Sequence, residues 1–322
     1  MYDMHYDLLT ILYFNMIQNN KFANKKKMQN DLKQIYANKN ILGGLINLYF
    51  MTPEEMQDEL DISIEEMRDI KQMLSQSIQF LESMKDKGII PYDTDFIYSI
   101  EGCDYIKSNQ ELEELYEMGV RSIIPVWNHQ NQYGSGYRTT SGLTIVGVQL
   151  VKKAIDLGMI IDISHANEKT FYDILDVYEK NRKQDSIIIA THSNVRSLCD
   201  RKRNLNDEQL HRLKDLGGYI GLFTNGNFLS EDNEQISYNE RQKHFLRHLD
   251  YLIKVIQFDI NRIVLSTDDM NFHPDTSYHH LEAFPVESIG FTIYQLLEKH
   301  YGTSVAKKLT FENASSIIGK IK

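Results

Sequence analysis

Hydrophobic and polar positions along the 322-residue chain alternate between two patterns. The first pattern consists of eight short apolar segments rich in Ile, Val, Tyr and Phe, and all but the segment 41–50 end in a glycine, polar or charged residue. Near-continuous apolar runs of this length are typical of parallel strands that are covered on both faces. The segments span residues 2–7, 41–50, 95–102, 121–128, 158–165, 186–193, 218–225 and 261–269.

The stretches between these segments carry helix start and stop signals. Residues 53–88 are long enough for two helices, which would decorate the fold after strand 2. Eight strand and helix alternations predict an α/β fold, a (β/α)8 TIM barrel, with a doubly wound open sheet as the alternative. Four of the helices are predicted to begin at a capping residue, namely Thr52, Ser108, Asn167 and Asn206.

Composition limits the class of protein and its partners. The net charge of -10 argues against nucleic acid and an anionic membrane surface as partners. With five prolines and no Ser/Gly-rich linker, residues 1–322 are predicted to form a single domain. Two cysteines, Cys103 and Cys199, are too few for a disulfide framework and favour a reducing compartment. Neither a signal peptide nor a membrane-spanning run is apparent, so a cytoplasmic protein is predicted.

Candidate metal ligands end five of the predicted strands. Active sites of (β/α)8 barrels lie at the carboxyl ends of the strands, so side chains there converge. In "YDMHYDLL", His5 and Asp7 are two positions apart and should share one strand face, with Met4 and Tyr6 on the other. Three histidines and three carboxylates suit zinc or a similar divalent ion. The six residues are His5, Asp7, Glu101, His165, His192 and Asp268.

The number of these residues indicates more than one ion. Six ligands exceed the need of a single tetrahedral zinc, whereas two ions that share a bridging carboxylate would use all six and leave positions open for water and substrate. Each residue alone has an ordinary explanation as a hydrogen-bonded histidine or a helix cap. Their joint occurrence at strand ends favours a metal centre.

Several blocks of the sequence resemble one family. "YDMHYDLL", "SIEGCDYI", "GMIIDISH", "THSNVRSLCDRKRNLNDEQL" and "RIVLSTDD" are similar to the membrane dipeptidase family, also called renal dipeptidase, a binuclear zinc branch of the amidohydrolase-like barrels. The likeness runs from residue 2 to about residue 270, and more weakly to "FENASSII". It implies a zinc-dependent metallopeptidase that hydrolyses free dipeptides.

The resemblance also implies how the ligands are shared. His5 and Asp7 would bind one zinc ion, Glu101 would bridge both ions, and His165 and His192 would hold the second. The implied cofactors are therefore two Zn²⁺ ions, with other divalent metals left open.

Further residues would handle protons and substrate. By the same resemblance, Asp268 completes the shell of the first ion and transfers protons, while Arg203 clamps the carboxylate of a bound dipeptide. Its neighbour Asn204, together with Trp127, is also predicted to bind substrate. The block "PVWNHQN" departs from the family's T-H-N pattern, because Trp127 stands where the histidine that binds the reacting oxygen is expected. If the strand continues to His129, this residue shares a strand face with Trp127 and could replace that histidine in catalysis; otherwise it is a surface loop histidine.

Two other functions stay open. A related amidohydrolase acting on N-acyl amino acids, lactams or lactones would have the same metal cage, and the presence of Arg203 favours the dipeptidase. A non-catalytic metal-binding barrel is the other, supported only by the Trp127 departure. The remaining histidines, including His248, are interpreted as packing or surface residues, and a homodimer is left open.

Overall fold

A parallel eight-stranded sheet forms the centre of the molecule. The computed structural model describes residues 1–13, 25–37, 40–50, 69–232, 236–268, 283–285 and 288–321. In the sheet each strand pairs in parallel with the next one along the chain. The strands are β1 (Tyr2–Tyr6), β2 (Gly43–Tyr49), β3 (Asp95–Glu101), β4 (Val120–Ile124), β5 (Ile160–Asp162), β6 (Ile188–Ala190), β7 (Tyr219–Phe223) and β8 (Ile263–Ser266).

Residues just after β8 close the sheet against β1. The backbone N–H of Asp268 donates to the carbonyl oxygen of His5 at 2.9 Å. Next to it, the backbone N–H of Thr267 donates to Asp3 Oδ1 at 3.0 Å, and the Thr267 hydroxyl donates to Asp3 Oδ2. The strand order and this seam confirm the predicted (β/α)8 barrel, and the doubly wound open sheet was the wrong alternative.

Helices follow the strands around the barrel, and three of the four predicted caps are confirmed. The side chains of Ser108, Asn167 and Asn206 each accept a hydrogen bond from a backbone N–H three residues on. The helix predicted from Thr52 lies outside the described residues, and α3 is the described helix of the decorated region after β2. The helices are α1 (Leu8–Leu12), α2 (Lys25–Ala37), α3 (Ile70–Asp86), α4 (Asn109–Glu117), α5 (Ile145–Leu157), α6 (Glu168–Asn181), α7 (Asp207–Asp215), α8 (Tyr238–Lys254), α9 (Ile289–Tyr301), α10 (Thr303–Lys307) and α11 (Asn313–Ile321).

The core has an outer layer between strands and helices and an inner cluster inside the barrel. The inner cluster includes Leu45, Ile97 and Val264 from the strands and buried side chains of α11. Asn313, the first residue of α11, donates from Nδ2 to the carbonyl oxygens of Ile260 and Ile263, where β8 begins. The last helix therefore covers the amino-terminal end of the barrel, opposite the carboxyl ends of the strands.

A bulge in β1 changes the predicted alternation of its side chains. The pairing of β1 with β2 shifts register between Asp3 and Tyr6. Met4 consequently packs in the inner cluster, while Tyr6 packs in the outer layer. The prediction that Met4 and Tyr6 share a face was wrong, because a bulge inserts one residue and lets successive side chains point to the same side.

The strands β5 and β6, of three residues each, are shorter than the apolar segments that predicted them. Residues 163–165 and 191–193, which follow these two strands, are buried although they do not pair in the sheet. The apolar pattern therefore predicted burial correctly but overestimated the length of the strands. That residues 1–322 form a single domain stays a prediction.

Candidate metal centre and substrate site

The six predicted ligands lie together at the carboxyl ends of the strands, centred on Glu101. Glu101 Oε1 is 2.8 Å from His165 Nε2 and 3.6 Å from His192 Nε2. The other oxygen, Oε2, is 3.1 Å from His5 Nε2. The two oxygens of one buried carboxylate therefore face different histidines, which is the arrangement that a bridging ligand requires.

A second group of ligands surrounds the His5 side of Glu101. His5 Nε2 lies 3.7 Å from Asp7 Oδ1 and 3.5 Å from Asp268 Oδ1. Ligand atoms of these three residues lie within 4.8 Å of one another. Asp268 is the most accessible member, with 21% of its side chain exposed, so this carboxylate stands on the side of the cluster that substrate can reach.

The cluster fits a metal centre because its donor atoms are of the right kind and because two of them have unsatisfied hydrogen-bonding capacity. His5 Nε2 and Asp7 Oδ1 are buried and, although charged groups lie nearby, neither atom makes a hydrogen bond of suitable geometry among the described residues. His165 Nε2 and His192 Nε2 are 2.9 Å apart, so the two ring nitrogens converge. Buried polar atoms are rarely left unpaired, and a divalent cation between imidazole and carboxylate donors would satisfy them.

Two of the six residues have strained backbones. The φ angles of His165 and Asp268 are 67° and 50°, in the left-handed region that side chains with a Cβ seldom adopt. His165 lies three residues after the end of β5, and Asp268 lies two residues after the end of β8. Strain of this kind costs about 1–3 kcal/mol per residue and concentrates at functional sites.

The three histidines of the cluster differ in the direction in which their pKa values are shifted. Burial lowers the pKa of His165 to about 3, and the nearby Arg203 charge adds to this effect. Burial, together with the charges of His5 and Arg203, also holds the pKa of His192 well below its usual range. Both imidazoles are therefore neutral, which is the form that binds a metal ion. Burial opposes the charging of His5, but the carboxylates of Glu101 and Asp268 outweigh it and raise the pKa of His5 to about 10.

Among the carboxylates, negative charge is in excess. Burial, and then repulsion from Asp268 and Glu101, raises the pKa of Asp7 well above its usual value. Burial and Glu101 likewise raise the pKa of Asp268. For Glu101, burial is outweighed by His5 and His165, which hold its pKa well below the usual range. Three acids crowded in a buried site make it a site for cations.

Residues that the sequence analysis missed hold the far side of each histidine ring. Asn128 Oδ1 lies 2.9 Å from His165 Nδ1. The hydroxyl of Thr191 lies 2.9 Å from His192 Nδ1 and 3.2 Å from His5 Nδ1, and it also bonds Asp162 Oδ2. The available signal was the polar residue that interrupts an apolar strand, as in "IIDISH" and "IIIATHS".

Arg203 is a buried cation beside the cluster. Its side chain is buried and Nη1 has no hydrogen-bond partner among the described residues. The guanidinium carbon lies 5.9 Å from the Tyr137 ring and 5.8 Å from the Phe228 ring. Burial lowers the pKa of Arg203, against the attraction of Asp268. A guanidinium held in this way is available to an incoming carboxylate.

The side chain of Asn204 forms hydrogen bonds with backbone groups of the protein. Its Nδ2 donates to the carbonyl oxygens of Cys199 at 2.9 Å and Phe228 at 3.0 Å, and its Oδ1 accepts from the backbone N–H of Asn194 at 3.1 Å. These bonds hold the loop that carries Arg203. Binding of substrate by Asn204 stays a prediction, and the hydrogen bonds give this residue a different task.

Trp127 and His129 occupy different surroundings. The Trp127 ring stacks on His165 at 5.8 Å and on Tyr49 at 6.2 Å, so it lines the site. The assumption that the strand continues to His129 was wrong, because β4 ends at Ile124 and the chain then turns. His129 Nε2 lies 3.4 Å from Nη1 of Arg138 in that loop, and its catalytic role stays a prediction.

A cavity of about 330 Å³ opens beside Tyr137. Its lining includes Lys169, Arg196 and Lys202, with Glu168 as an acidic neighbour. Of the residues that line it, Tyr137 also lies near the ligand cluster, with its ring 6.4 Å from the His165 ring.

Comparison with known proteins gives the relatives of this chain. The model of the membrane dipeptidase family, peptidase family M19, matches residues 1–321. A protein from the pqqA 5′ region of Klebsiella pneumoniae is 33% identical over 229 residues, which cover 66% of this chain and 80% of that protein. Among the described helices, none has the length and apolar character needed to cross a lipid bilayer.

Solved structures share the fold. A metallopeptidase from Rhodobacter sphaeroides, liganded with a phosphinate mimic of the dipeptide L-Ala-D-Ala, has a TM-score of 0.72 at 21% identity and covers 100% of this chain and 99% of that chain. The probable dipeptidase PvdM from Pseudomonas aeruginosa has a TM-score of 0.72 at 16% identity, covering 99% and 94%.

Proposed function

This chain belongs to the membrane dipeptidase family, peptidase family M19, and from that premise we propose that it hydrolyses free dipeptides with two divalent metal ions. The predicted family and the predicted class, a metal-dependent peptide-bond hydrolase, are confirmed by the match over residues 1–321. The number of ions, their identity and the role of each residue belong to the proposal. The observation that carries it is the placement of Glu101, whose two oxygens face two separate sets of ligand atoms.

The ligands divide between two positions. His5, Asp7 and Asp268 would hold one ion, His165 and His192 the other, with Glu101 between them. Zinc is the proposed ion, because imidazole and carboxylate donors in this mixture suit it. When bound, two such ions acidify water and polarise the scissile carbonyl group.

Asp268 is the proposed proton carrier. Its carboxylate is the most accessible of the six, and burial together with Glu101 raises its pKa. A carboxylate with a raised pKa accepts a proton from water more readily and can return it to the leaving amine. The neighbouring charge of Arg203 acts against that rise, so substrate that neutralises Arg203 would strengthen Asp268 as a base.

Arg203 is proposed to select substrates by length. Its buried guanidinium would bind the carboxylate of a dipeptide, since the planar fork matches two carboxylate oxygens. A longer peptide carries no carboxylate at that distance from the scissile bond. The dipeptide mimic bound by the Rhodobacter sphaeroides metallopeptidase supports a substrate of this size.

The test compares free dipeptides with the same dipeptides amidated at the carboxyl terminus. Metal content is measured first, and two ions per chain are expected. The wild type should cleave free dipeptides and leave the amides almost intact. In Arg203→Ala, kcat/KM for free dipeptides should fall about 100-fold, from loss of a charged pair of hydrogen bonds. Arg201→Ala, which removes an exposed arginine of the same loop, is the matched control and should keep wild-type activity.

Two results would contradict the proposal. Equal cleavage of free and amidated dipeptides would remove Arg203 from substrate selection. Two bound ions without cleavage of any dipeptide would point to the related amidohydrolase reaction, so N-acetyl amino acids and a lactam are included in the panel.

A cytoplasmic location and a homodimer stay predictions. Cell fractionation and light scattering of the purified chain test them.

A further inference from the structure

We propose that Thr191 is a positioning residue whose single hydroxyl orients one ligand of each metal ion, so that the two ions bind as a coupled pair. The proposal rests on the two-metal centre proposed above. Thr191 itself contacts neither substrate nor the converging ligand atoms, and it acts through His5 and His192.

The hydroxyl uses its full hydrogen-bonding capacity. A threonine hydroxyl has one donor and two acceptor lone pairs. Thr191 Oγ1 lies 2.9 Å from His192 Nδ1 and 3.2 Å from His5 Nδ1, and it bonds Asp162 Oδ2. A further neighbour, Ser164 Oγ at 3.4 Å, accepts the backbone N–H of His192 at 3.3 Å. One donated and two accepted bonds account for every site on the oxygen.

Asp162 sets the direction of these bonds. Its Oδ1 accepts the backbone N–H groups of Ser164 at 2.9 Å and Thr191 at 3.2 Å, which leaves Oδ2 for the Thr191 hydroxyl. Three donors facing a buried carboxylate is the arrangement that an ionised carboxylate requires. Because the Asp162 carboxylate accepts the hydrogen bond from the Thr191 hydroxyl, both lone pairs of Thr191 Oγ1 remain to accept hydrogen bonds from two ring N–H groups.

Both rings are consequently fixed in the same tautomer. With Nδ1 of His5 and His192 protonated and donating to Thr191, each Nε2 faces the ligand cluster, and a cation bound there would displace the proton that the carboxylates otherwise hold on His5 Nε2. The two rings also stack, with centroids 3.6 Å apart, so a displacement of one ring displaces the other. Each ring belongs to a different proposed metal position, and the shared hydroxyl therefore connects the two.

The backbone of Thr191 is held on its other side by β7 and β8. The Ser266 hydroxyl donates to the Thr191 carbonyl oxygen. A Cβ at Gly221 would overlap with that same oxygen, so β7 can approach Thr191 only with glycine at this position. The hydroxyl is thereby kept at one point, as an orienting group must be.

Asn128 gives a natural comparison within the same site. Its Oδ1 is the partner of His165 Nδ1 at 2.9 Å, and its side chain serves that ring alone among the described residues. Loss of Asn128 should therefore affect one ion, whereas loss of the Thr191 hydroxyl should affect both.

The experiment measures Zn²⁺ binding of the full chain by competition with a chromogenic chelator, and the visible spectrum of the Co²⁺-substituted protein. In Thr191→Val both ions should bind about 10- to 100-fold more weakly, the usual effect of removing a group that orients a metal ligand. Thr191→Ser keeps the hydroxyl and should restore both affinities. Asn128→Leu should weaken one ion only, and Thr310→Val, which removes a buried hydroxyl bonded to Ala306 in the helical region after β8, should change neither.

Circular dichroism and a melting curve establish that each variant is folded. Should Thr191→Val fail to fold, Asp162→Asn replaces it, because an amide that donates to Thr191 competes with the ring N–H groups and should also weaken both ions. Weakening of one ion, or of none, with the wild type still binding two, overturns the role of Thr191 and leaves the proposed function intact. A wild type that binds fewer than two ions overturns both proposals.

Discussion

Histidine has different tasks in this barrel according to what faces its two ring nitrogens. At His5, His165 and His192, Nδ1 has a protein partner and Nε2 points to the ligand cluster. At His248, both nitrogens are used: Nδ1 accepts the backbone N–H of Val195 at 3.1 Å, and Nε2 donates to the carbonyl oxygen of Leu229 at 3.0 Å. His248 therefore has no free lone pair and joins two loops, in accord with its interpretation as a packing residue.

His248 should make the stability of the fold depend on pH. Burial lowers its pKa to about 4, from 6.5 in the unfolded chain. The neutral ring is favoured in the folded state, so its contribution is complete above pH 6.5 and is lost as the pH falls towards 4. The free energy of unfolding should decrease by about 3 kcal/mol across that window from this residue. Urea titrations at pH 7, 6, 5 and 4.5 measure it.

His248→Gln provides the comparison for this effect. The glutamine does not titrate, so the variant should be less stable at pH 7 and the difference from wild type should shrink as the pH falls. Both proteins are measured with a chelator present, so that metal release does not enter the difference. Parallel pH profiles would show that His248 is not the group responsible.

The sequence was sufficient to predict the six candidate ligands, but not the residues that form hydrogen bonds with them. Histidine, aspartate and glutamate are uncommon at the ends of apolar strands, which is why the six candidate ligands stood out. Thr191 and Asn128 were missed, because threonine and asparagine are ordinary at strand ends and in turns. Their significance lies in distances to His5, His165 and His192, residues that are remote in the chain.

At the scale of elements, the start of the barrel depends on a bulge in β1 and two glycines in β2. Gly43 and Gly44 have φ angles of 143° and 142°, and Gly44 pairs with Asp3 where the register shifts. The alternating pattern predicted the strand but not the bulge, because an inserted residue leaves the same letters in the sequence. The consequence is that Met4 packs inside the barrel while His5 reaches the ligand cluster.

Gly44→Ala should therefore be strongly destabilising. A Cβ at this position would overlap with the backbone oxygen of Asp3, and the φ angle disfavours any side chain. A loss of about 3 kcal/mol or more in the free energy of unfolding is expected, since backbone cannot move aside as a side chain can. Gly319→Ala is the control, because it lies within α11 with no atom near the new Cβ, and it should stabilise the chain by about 0.5–1 kcal/mol. Similar effects of the two substitutions would contradict the close approach at Gly44.

At the scale of the whole molecule, the ligand cluster and the inner core cluster lie at opposite ends of the barrel. The ligand cluster lies at the carboxyl ends of the strands, and α11 covers the opposite end through the inner core cluster. Eight alternations in the sequence were sufficient to predict the barrel, since few architectures accommodate them. The residues that close β8 on β1, Asp3 and Thr267, could not be predicted, because their contact joins residues 264 positions apart.

This separation predicts that a destabilising substitution at the amino-terminal end of the barrel leaves the affinity of the ligand cluster for metal unchanged. Ile317 of α11 is fully buried in the inner cluster, and Ile317→Ala should lower the free energy of unfolding by about 2–5 kcal/mol through the cavity it leaves. Zn²⁺ affinity of the folded chain should stay at the wild-type value, because the ligand atoms lie at the carboxyl ends of the strands and α11 packs at the opposite end of the barrel. Ile145→Ala makes the same change at an 82% exposed position and should shift stability by less than about 0.5 kcal/mol. Denaturation curves and chelator competition measure the two quantities separately, and a parallel fall in both would mean that the two ends of the barrel are coupled.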